Sequence, residues 1–290
     1  MTPEQIQAKL NALARSEGRP ANEIFVLYLL ESFLRRLQQT SFRDDFILKG
    51  GVLLAAYMLR RATRDIDMQA VDFTLDESHI NKMTQAVAEV DSDDGVVFST
   101  QPTSIEQIRD DDEYSGLRVK LPARLATFTA SVTLDISTGD PIWPAPERVH
   151  VPQLLGGDFE MQGHPLPTVI AEKSVTMLQR GPTSTRWRDI MDLRTFSTNY
   201  DFDLGTVREA CELVAQSRQI ELSSARDATD GWPGVAQARW AAWRSRQGFD
   251  ELTLADFNEQ LEEVLDFIEP IFGAQPDSSM RWDHSKRAWS

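Results

Sequence analysis

The sequence predicts an α/β protein in which an N-terminal half, with a short mixed sheet and flanking helices, precedes a helical C-terminal half. Three observations lead to this prediction. Segments with the two-residue alternation of half-buried strands occur before residue 140. Three prolines then interrupt the chain between residues 141 and 146. From Pro167 onward the apolar residues recur at helical spacing. We expect a domain boundary near residue 155, which gives domains 1–155 and 156–290.

Two helices are predicted at the start of the chain. Thr2 is suited to the N-cap of the first, with a proline at the first helical position and Gln5 at the third. Gly18 and Pro20 would end this helix, and apolar spacing predicts a second one over about 22–39. We expect both helices to be structural.

Strands and helices alternate in the predicted N-terminal half. A short apolar run at residues 46–48 is closed by Lys49-Gly50-Gly51, which indicates a strand that ends in a turn. Apolar periodicity predicts the other elements of this half, which are strands at 65–70, 117–121 and 128–137 and helices at 52–59 and 76–90.

The C-terminal half is predicted to be helical at about 168–179, 185–197, 204–219, 234–246 and 253–269. For the last helix we expect Thr253 as the N-cap and Pro270 beyond its end. The tail after Gly273 is expected to be loose, unless Trp282 and Trp289 dock on the core.

Composition restricts the possible partners. The 290 residues include 30 Lys and Arg against 45 Asp and Glu, a net charge of −15. Such a protein is not a general nucleic-acid binder, so an RNA substrate would need a local basic patch. Cys211 is the single cysteine, which excludes an intrachain disulfide and fits a reducing compartment. The N-terminus is polar, and the longest apolar run is far shorter than the roughly 20 residues that cross a bilayer. We therefore expect a cytoplasmic protein with no membrane partner.

Asp65 and Asp67 are the first candidates for chemistry. They lie two residues apart on a predicted strand, which places both carboxylates on one face. Carboxylates placed in this way can bind hard divalent cations, and paired ions can clamp both oxygens of a phosphoryl displacement. An isolated Asp-x-Asp is more often only a solvated strand face, so the pair needs support from other residues.

Two further features provide that support. The glycines of Lys49-Gly50-Gly51 would let the backbone approach a phosphate, beside a helix N-terminus that attracts anions. Asp135 lies on the polar face of the predicted strand 128–137, among small hydroxyl residues. A third carboxylate beside a metal pair can bind one ion and help deprotonate an attacking hydroxyl.

Taken in order, four blocks of sequence resemble a known family. They are 47–51 (Ile-Leu-Lys-Gly-Gly), 63–67 (Thr-Arg-Asp-Ile-Asp), 172–173 (Glu-Lys) and 186–193 (Arg-Trp-Arg-Asp-Ile-Met-Asp-Leu). The pattern resembles the nucleotidyltransferase fold of the DNA polymerase β superfamily. More narrowly, it is similar to the AbiEii/AbiGii toxin family, which includes the MenT toxins. These are the toxins of type IV toxin–antitoxin and abortive-infection systems, which act in phage defence.

The resemblance implies roles for residues of the helical half. Lys173 would reach the triphosphate as a point charge. Asp192 matches the family's functional acid, whereas Asp189 matches a less certain position. Without the resemblance, Lys173 could be a surface lysine paired with Glu172 or with nothing. Either Asp189 or Asp192 could likewise be a helix-surface acid, with Asp192 paired with Arg188.

Arginines could provide the local basic patch that the net charge otherwise denies, or they could only balance nearby acids. They are Arg180, Arg186, Arg188 and Arg194 around one predicted loop, and Arg60, Arg61 and Arg64 before the Asp-x-Asp strand.

Together, the residues and the resemblance predict a nucleotidyltransferase site in the cleft between the two halves. Asp65, Asp67 and Asp135 would hold two Mg²⁺ ions. The phosphates of a nucleoside triphosphate (NTP) would bind at residues 49–51 and Lys173. The resemblance implies transfer to the 3′ end of tRNA, a block of translation and a cognate antitoxin. Two alternatives stay open, which are modification of a protein or small molecule and a non-catalytic nucleotide-binding module.

Overall fold

The chain divides into two compact units. A computed structural model describes residues 1–59, 63–110, 114–273 and 277–290. Unit 1 comprises Met1–Gly139 and Pro146–His164, and unit 2 comprises Asp140–Ala145 and Pro165–Ser290. The boundary expected near residue 155 lies inside the second segment of unit 1.

Within the described residues, unit 1 contains four helices and eight strands. The helices are α1 (Pro3–Glu17), α2 (Ala21–Leu37), α3 (Gly50–Ala56) and α4 (Glu77–Glu89). The strands are β1 (Phe46–Lys49), β2 (Asp65–Ala70), β3 (Val96–Phe98), β4 (Ser104–Asp110), β5 (Tyr114–Leu125), β6 (Phe128–Ser137), β7 (Glu147–Pro152) and β8 (Asp158–Gly163).

The eight strands form one mixed sheet. Their order is β3-β5-β6-β2-β1-β8-β7, and β4 also pairs with β5. The pairs β2–β6 and β1–β8 are parallel, and the other pairs are antiparallel. Strand β5 is longer than the predicted 117–121 because β6 pairs with its residues 116–125, β4 with 114–120 and β3 with 123–125. The α/β class with a mixed sheet is confirmed.

One face of the sheet is covered by the first two helices. The predicted capping box of α1 is present, with the Thr2 hydroxyl accepting from the N–H of Gln5. From α2, the Phe25 ring stacks on Phe128 of β6 at 4.8 Å between centroids. Every second residue of β6 from Val132 onward is buried on this side. The opposite face of β2, β5 and β6 carries polar side chains.

Two local predictions for unit 1 need correction. Helix α3 begins at Gly50, so the two glycines form its first turn instead of a turn that precedes it. The prediction also missed β3, β4, β7 and β8. In β7, for example, only Val149 and Val151 are buried between charged or polar neighbours, so the apolar alternation is too short to stand out.

Unit 2 is mainly helical, as predicted. Its helices are α5 (Leu166–Arg180), α6 (Trp187–Asn199), α7 (Leu204–Ser217), α8 (Ala225–Ala228), α9 (Trp232–Gln247) and α10 (Phe257–Phe272). Strands β9 (Phe202–Asp203), β10 (Arg281–Asp283) and β11 (Ala288–Trp289) add a small antiparallel sheet that was not predicted.

Both predicted ends of the last helix are wrong. Asp256 is the N-cap of α10, because its carboxylate accepts from the N–H groups of Asn258 and Glu259. Thr253 instead lies buried and accepts from the Arg244 side chain at 2.7 Å. Pro270 is inside the last turns of α10 and not beyond its end.

Aromatic side chains form the core of unit 2 and hold its C-terminal tail. Trp187 stacks on Trp232 at 5.9 Å and meets Phe257 edge-on at 5.4 Å. In the tail, the buried Trp282 donates its indole N–H to the carbonyl of Ser197 at 2.7 Å. Trp289 stacks on an α10 phenylalanine at 5.8 Å. The described part of the tail is therefore docked. Among the described residues, no helix combines the length and apolarity needed to cross a bilayer.

Candidate active site

The three acids predicted from the sequence lie on the polar face of the unit 1 sheet, on the neighbouring strands β2 and β6. Asp65 and Asp67 alternate along β2 with Ile66 and Met68, which are 0% exposed and anchor the strand through the opposite face of the sheet. Strand β6 runs parallel to β2, and Asp135 is the register partner of Asp67. Neighbouring strands are about 4.8 Å apart, so the Asp67 and Asp135 side chains project side by side.

A row of charged residues crosses five strands through this point. From β1 to β4 the consecutive register partners are Lys49, Asp67, Asp135, Arg118 and Glu106. Like charges directly opposite each other destabilise a sheet, whereas opposite charges stabilise it. The adjacent pair of acids therefore costs stability, and the two flanking cations offset part of that cost.

Arg118 is bound directly to the third acid. Its Nε donates to Oδ1 of Asp135 at 2.8 Å and its Nη2 donates to Oδ2 at 2.6 Å. These bonds, followed by the charges of Asp135, Asp65 and Asp67, raise the pKa of Arg118 well above its ordinary value. A planar guanidinium that binds both carboxylate oxygens is the strongest form of such a pair. All three acids therefore stabilise the charged form of Arg118.

Sequence reasoning missed Arg118. The available signal was its place at a polar position of the predicted strand 117–121, but nothing in the sequence paired that position with Asp135.

The two glycines that follow β1 are required by close packing against side chains. Gly50 has a φ of +64°, and a Cβ at this position would overlap the Asp67 carboxylate. A Cβ on Gly51 would overlap the hydroxyl of the buried Thr63. The space beside these glycines is thus taken by residues of the Asp-x-Asp segment. The proposed role of residues 49–51 in phosphate binding stays a prediction.

The donor set fits a hard divalent cation. Asp65, Asp67 and Asp135 supply only carboxylate oxygens, which are the ligands that Mg²⁺ prefers. All three are partly exposed, with the Asp135 side chain at 14%. Two of the acids are neighbours despite their repulsion, which indicates that the site is built to receive positive charge. Both Asp135 oxygens accept a hydrogen bond from Arg118, so an ion at Asp135 would use their remaining lone pairs and would meet the repulsion of the guanidinium charge.

The second group of predicted residues lies in unit 2, on α5 and α6. Lys173 Nζ is 2.6 Å from Asp189 Oδ1 and 2.8 Å from Asp192 Oδ2. Arg186 binds the other oxygen of Asp189 at 3.1 Å. Asp192 is 2% exposed. The alternative in which it is a helix-surface acid is therefore wrong. That this cluster and unit 1 line one cleft stays a prediction.

Several of the arginines considered for a basic patch are bound to local partners. Arg194 pairs with Glu263 at 2.6 Å, and Arg188 donates to the side chain of Gln247 at 3.1 Å. The Arg194–Glu263 and Arg186–Asp189 pairs favour charge balance for these two arginines, whereas the partner of Arg188 is a neutral amide. Arg64 is exposed, whereas Arg60 and Arg61 lie outside the described residues.

Comparison with known proteins gives one family match. The family model described as nucleotidyl transferase AbiEii toxin, type IV toxin–antitoxin system, matches residues 32–282. No curated protein sequence matches the chain. A crystal structure of a proposed nucleotidyltransferase from H. pylori is 14% identical, with 86% of this chain and 95% of that chain covered and a TM-score of 0.49. The crystal structure of JHP933 from Helicobacter pylori is also 14% identical, with coverages of 86% and 90% and a TM-score of 0.47.

Proposed function

We propose, since this chain belongs to the AbiEii family of nucleotidyltransferase toxins of type IV toxin–antitoxin systems, that it transfers a nucleotide from an NTP to the 3′ end of tRNA. The observation that carries the chemical part of this proposal is the register of Asp67 with Asp135, with Asp65 two residues away on the same face. Repulsion between such acids destabilises the sheet, and a bound cation would relieve that repulsion.

The side chains of unit 1 would have distinct roles. Asp65, Asp67 and Asp135 would hold Mg²⁺, which supplies charge neutralisation for the triphosphate and for the attacking oxygen. Asp135 could also accept the proton of the acceptor hydroxyl. Once released from Asp135, Arg118 would bind a triphosphate oxygen through its planar guanidinium. Lys49, in the same row, would contribute a second positive charge.

In unit 2, Lys173 is the proposed phosphate ligand. Asp189 and Asp192 bind its ammonium from two sides and limit its motion. A charge that is already positioned loses little entropy when it binds a phosphate. The reaction would release pyrophosphate, and a blocked tRNA 3′ end could no longer be aminoacylated. The expected result is arrested translation, relieved by a cognate antitoxin in the cytoplasm.

Transfer can be tested by incubating the protein and total tRNA with each of the four α-³²P-labelled NTPs, with and without MgCl₂. We expect Mg²⁺-dependent labelling of RNA by at least one nucleotide. Asp67→Asn should abolish it. Asp44→Asn is the matched control, because the Asp44 side chain is 73% exposed and lies outside the charged row. If no nucleotide labels RNA under any condition, the proposed acceptor is wrong.

One observation favours a different acceptor. The net charge of −15 suits a protein or a small molecule better than RNA. Label on a protein band or a small acceptor, with none on tRNA, would support this second candidate. Tight NTP binding without release of pyrophosphate would instead indicate a non-catalytic nucleotide-binding module.

A further inference from the structure

The polar face of the unit 1 sheet continues beyond the acids along β5 and β6. On β5 the residues that follow Arg118 on this face are Lys120, Pro122 and Arg124, because side chains alternate along a strand. Their register partners on β6 are Thr133, Ser131 and Thr129. We call these six residues the β5–β6 track. Their buried neighbours Val119, Leu121 and Val132 point to the opposite face.

The charge of the track differs from that of the rest of the protein. Lys120 and Arg124 are exposed, and no acid occurs at any of its six positions. Within the described part of the chain, neither cation has an ion-pair partner, and Arg124 donates only to the carbonyl of Ala126 at 3.4 Å. Glu106 is the register partner of Arg118 and lies one row away from Lys120. A protein with a net charge of −15 therefore presents unpaired positive charge beside its candidate active site.

The track is continuous with the acids. Thr133 is the register partner of both Asp65 and Lys120, so these three residues form one row across β2, β6 and β5. Two strand spacings separate Lys120 from Asp65, which is about 10 Å. Arg124 lies four residues further along β5, or about 13 Å. At that end a groove of about 450 Å³ is lined by Arg124, Thr129 and Ser131, among others.

We propose that the β5–β6 track binds the backbone of a single-stranded RNA end whose terminal hydroxyl lies at the acids. This inference rests on the proposed function, because it names the surface that receives the acceptor. Lys120 and Arg124 would neutralise phosphates, and the hydroxyls of Thr129, Ser131 and Thr133 would donate to phosphate oxygens. With no base-specific groups among them, these contacts position a strand without selecting its sequence. A width of two strands, about 10 Å, suits one RNA strand and not a duplex.

The test compares two charge-matched double variants. Lys120→Gln with Arg124→Gln removes the cations of the track. Lys9→Gln with Lys82→Gln is the control, because both of these lysines are exposed on helices of the same unit, α1 and α4. Binding of 5′-fluorescein-labelled tRNA is measured by anisotropy at NaCl concentrations from 50 to 200 mM. The slope of log K against log[NaCl] is negative, and the loss of two single-strand phosphate contacts should make it less negative by about 1.4 in the track variant. The control should keep the wild-type slope.

A transfer assay separates this inference from the proposed function. In the track variant we expect a raised KM for tRNA with a smaller change in kcat, and an unchanged Kd for the NTP. If the wild type labels tRNA and the track variant binds and turns over tRNA like the control, the RNA-binding role of the β5–β6 track is wrong and the proposed function stands. Absence of labelling by the wild type would overturn the proposed function. The anisotropy slopes need no turnover and would still decide whether the track binds RNA.

Discussion

The Arg118 guanidinium and the Asp135 carboxylate lie directly opposite each other on β5 and β6, and they form two hydrogen bonds of 2.8 and 2.6 Å. Asp135 is also the register partner of Asp67. The same carboxylate is therefore shared between an internal cation and the position where a metal ion would bind. Because of this competition, the effect of Arg118 on metal binding can be measured without any reaction.

Arg118→Gln should strengthen the binding of Mn²⁺ in the absence of nucleotide. Loss of one positive charge beside three acids favours a bound cation by roughly 1 kcal/mol in a partly solvated site, or about fivefold in Kd. Mn²⁺ titration followed by electron paramagnetic resonance measures this directly. Arg124→Gln on the same strand is the control and should leave the Kd unchanged. Equal or weaker Mn²⁺ binding by Arg118→Gln would show that the pair does not compete with the metal.

Asp67→Asn should remove Mn²⁺ binding without loss of stability. The substitution abolishes the like-charge contact with Asp135, so we expect the metal-free Tm to stay the same or to rise by a few degrees. Differential scanning calorimetry with and without MnCl₂ tests both parts. The wild type should gain stability with MnCl₂ and the variant should not. A lower metal-free Tm in Asp67→Asn would contradict the repulsion described for the charged row.

Gly50→Ala should reduce stability by more than the cost of its left-handed backbone conformation and should also disturb the site. An L-residue in the left-handed region costs roughly 1–2 kcal/mol, and the new Cβ would also displace the Asp67 carboxylate. Gly18→Ala is a close control, since Gly18 also has a φ of +64° but no atom within 4 Å of the added Cβ. Urea unfolding should show a loss for both variants that is larger for Gly50→Ala, and only Gly50→Ala should lose Mn²⁺ binding. Equal effects would mean that Gly50 is required for its φ alone.

Lys173→Met should destabilise unit 2 because it leaves the buried Asp192 without this cation. Breaking a buried pair typically costs about 3–5 kcal/mol, whereas replacing both partners by apolar residues is often neutral. Lys173→Met with Asp192→Leu should therefore recover much of the lost stability. If Lys173 binds the triphosphate, the double variant stays inactive although it is folded. Recovery of nucleotide transfer in the double variant would exclude that role.

Acid should destabilise unit 1 partly through Asp94, whose side chain is 1% exposed. Burial alone raises the pKa of this carboxyl, but the hydrogen bonds from Arg36, the N–H of Val96 and Arg35 outweigh it and the pKa is lowered. The stabilisation is thus fully present above the unfolded-state pKa of about 3.9 and is lost as the pH falls through the folded-state pKa.

The corresponding measurement is urea unfolding of Asp94→Asn at several pH values. At pH 7 we expect a loss of about 3–5 kcal/mol, and below pH ~4 the difference from the wild type should shrink. Asp93→Asn, at the exposed neighbouring position, should follow the wild type throughout. A difference that does not change with pH would show that Asp94 acts through packing and not through its charge.

Elements with a strong local signal could be predicted from the sequence. The capping residues of α1 satisfy backbone groups a few positions away, and the ten-residue alternation of β6 records which of its faces is buried. Strand β3 has only three residues and β7 has only two buried apolar residues, which is too few for such a signal. Their existence depends on partners that are distant in sequence, in these cases β5 and β8.

The candidate site shows the same division. That Asp65 and Asp67 share a face follows from the two-residue period of any strand. The position of Asp135 beside them was a hypothesis, because local periodicity does not show which strands are neighbours in the sheet.

The α/β class, the Asp-x-Asp pair, the order of the family's motifs and the net charge could all be read from the residues alone. The folded chain was needed to show that β6 lies beside β2 in the register that puts Asp135 against Asp67, that Arg118 pairs with this acid, and that Gly50 makes room for Asp67. Periodicity and capping act over a few residues, whereas register and side-chain pairing join strands that are far apart in the chain.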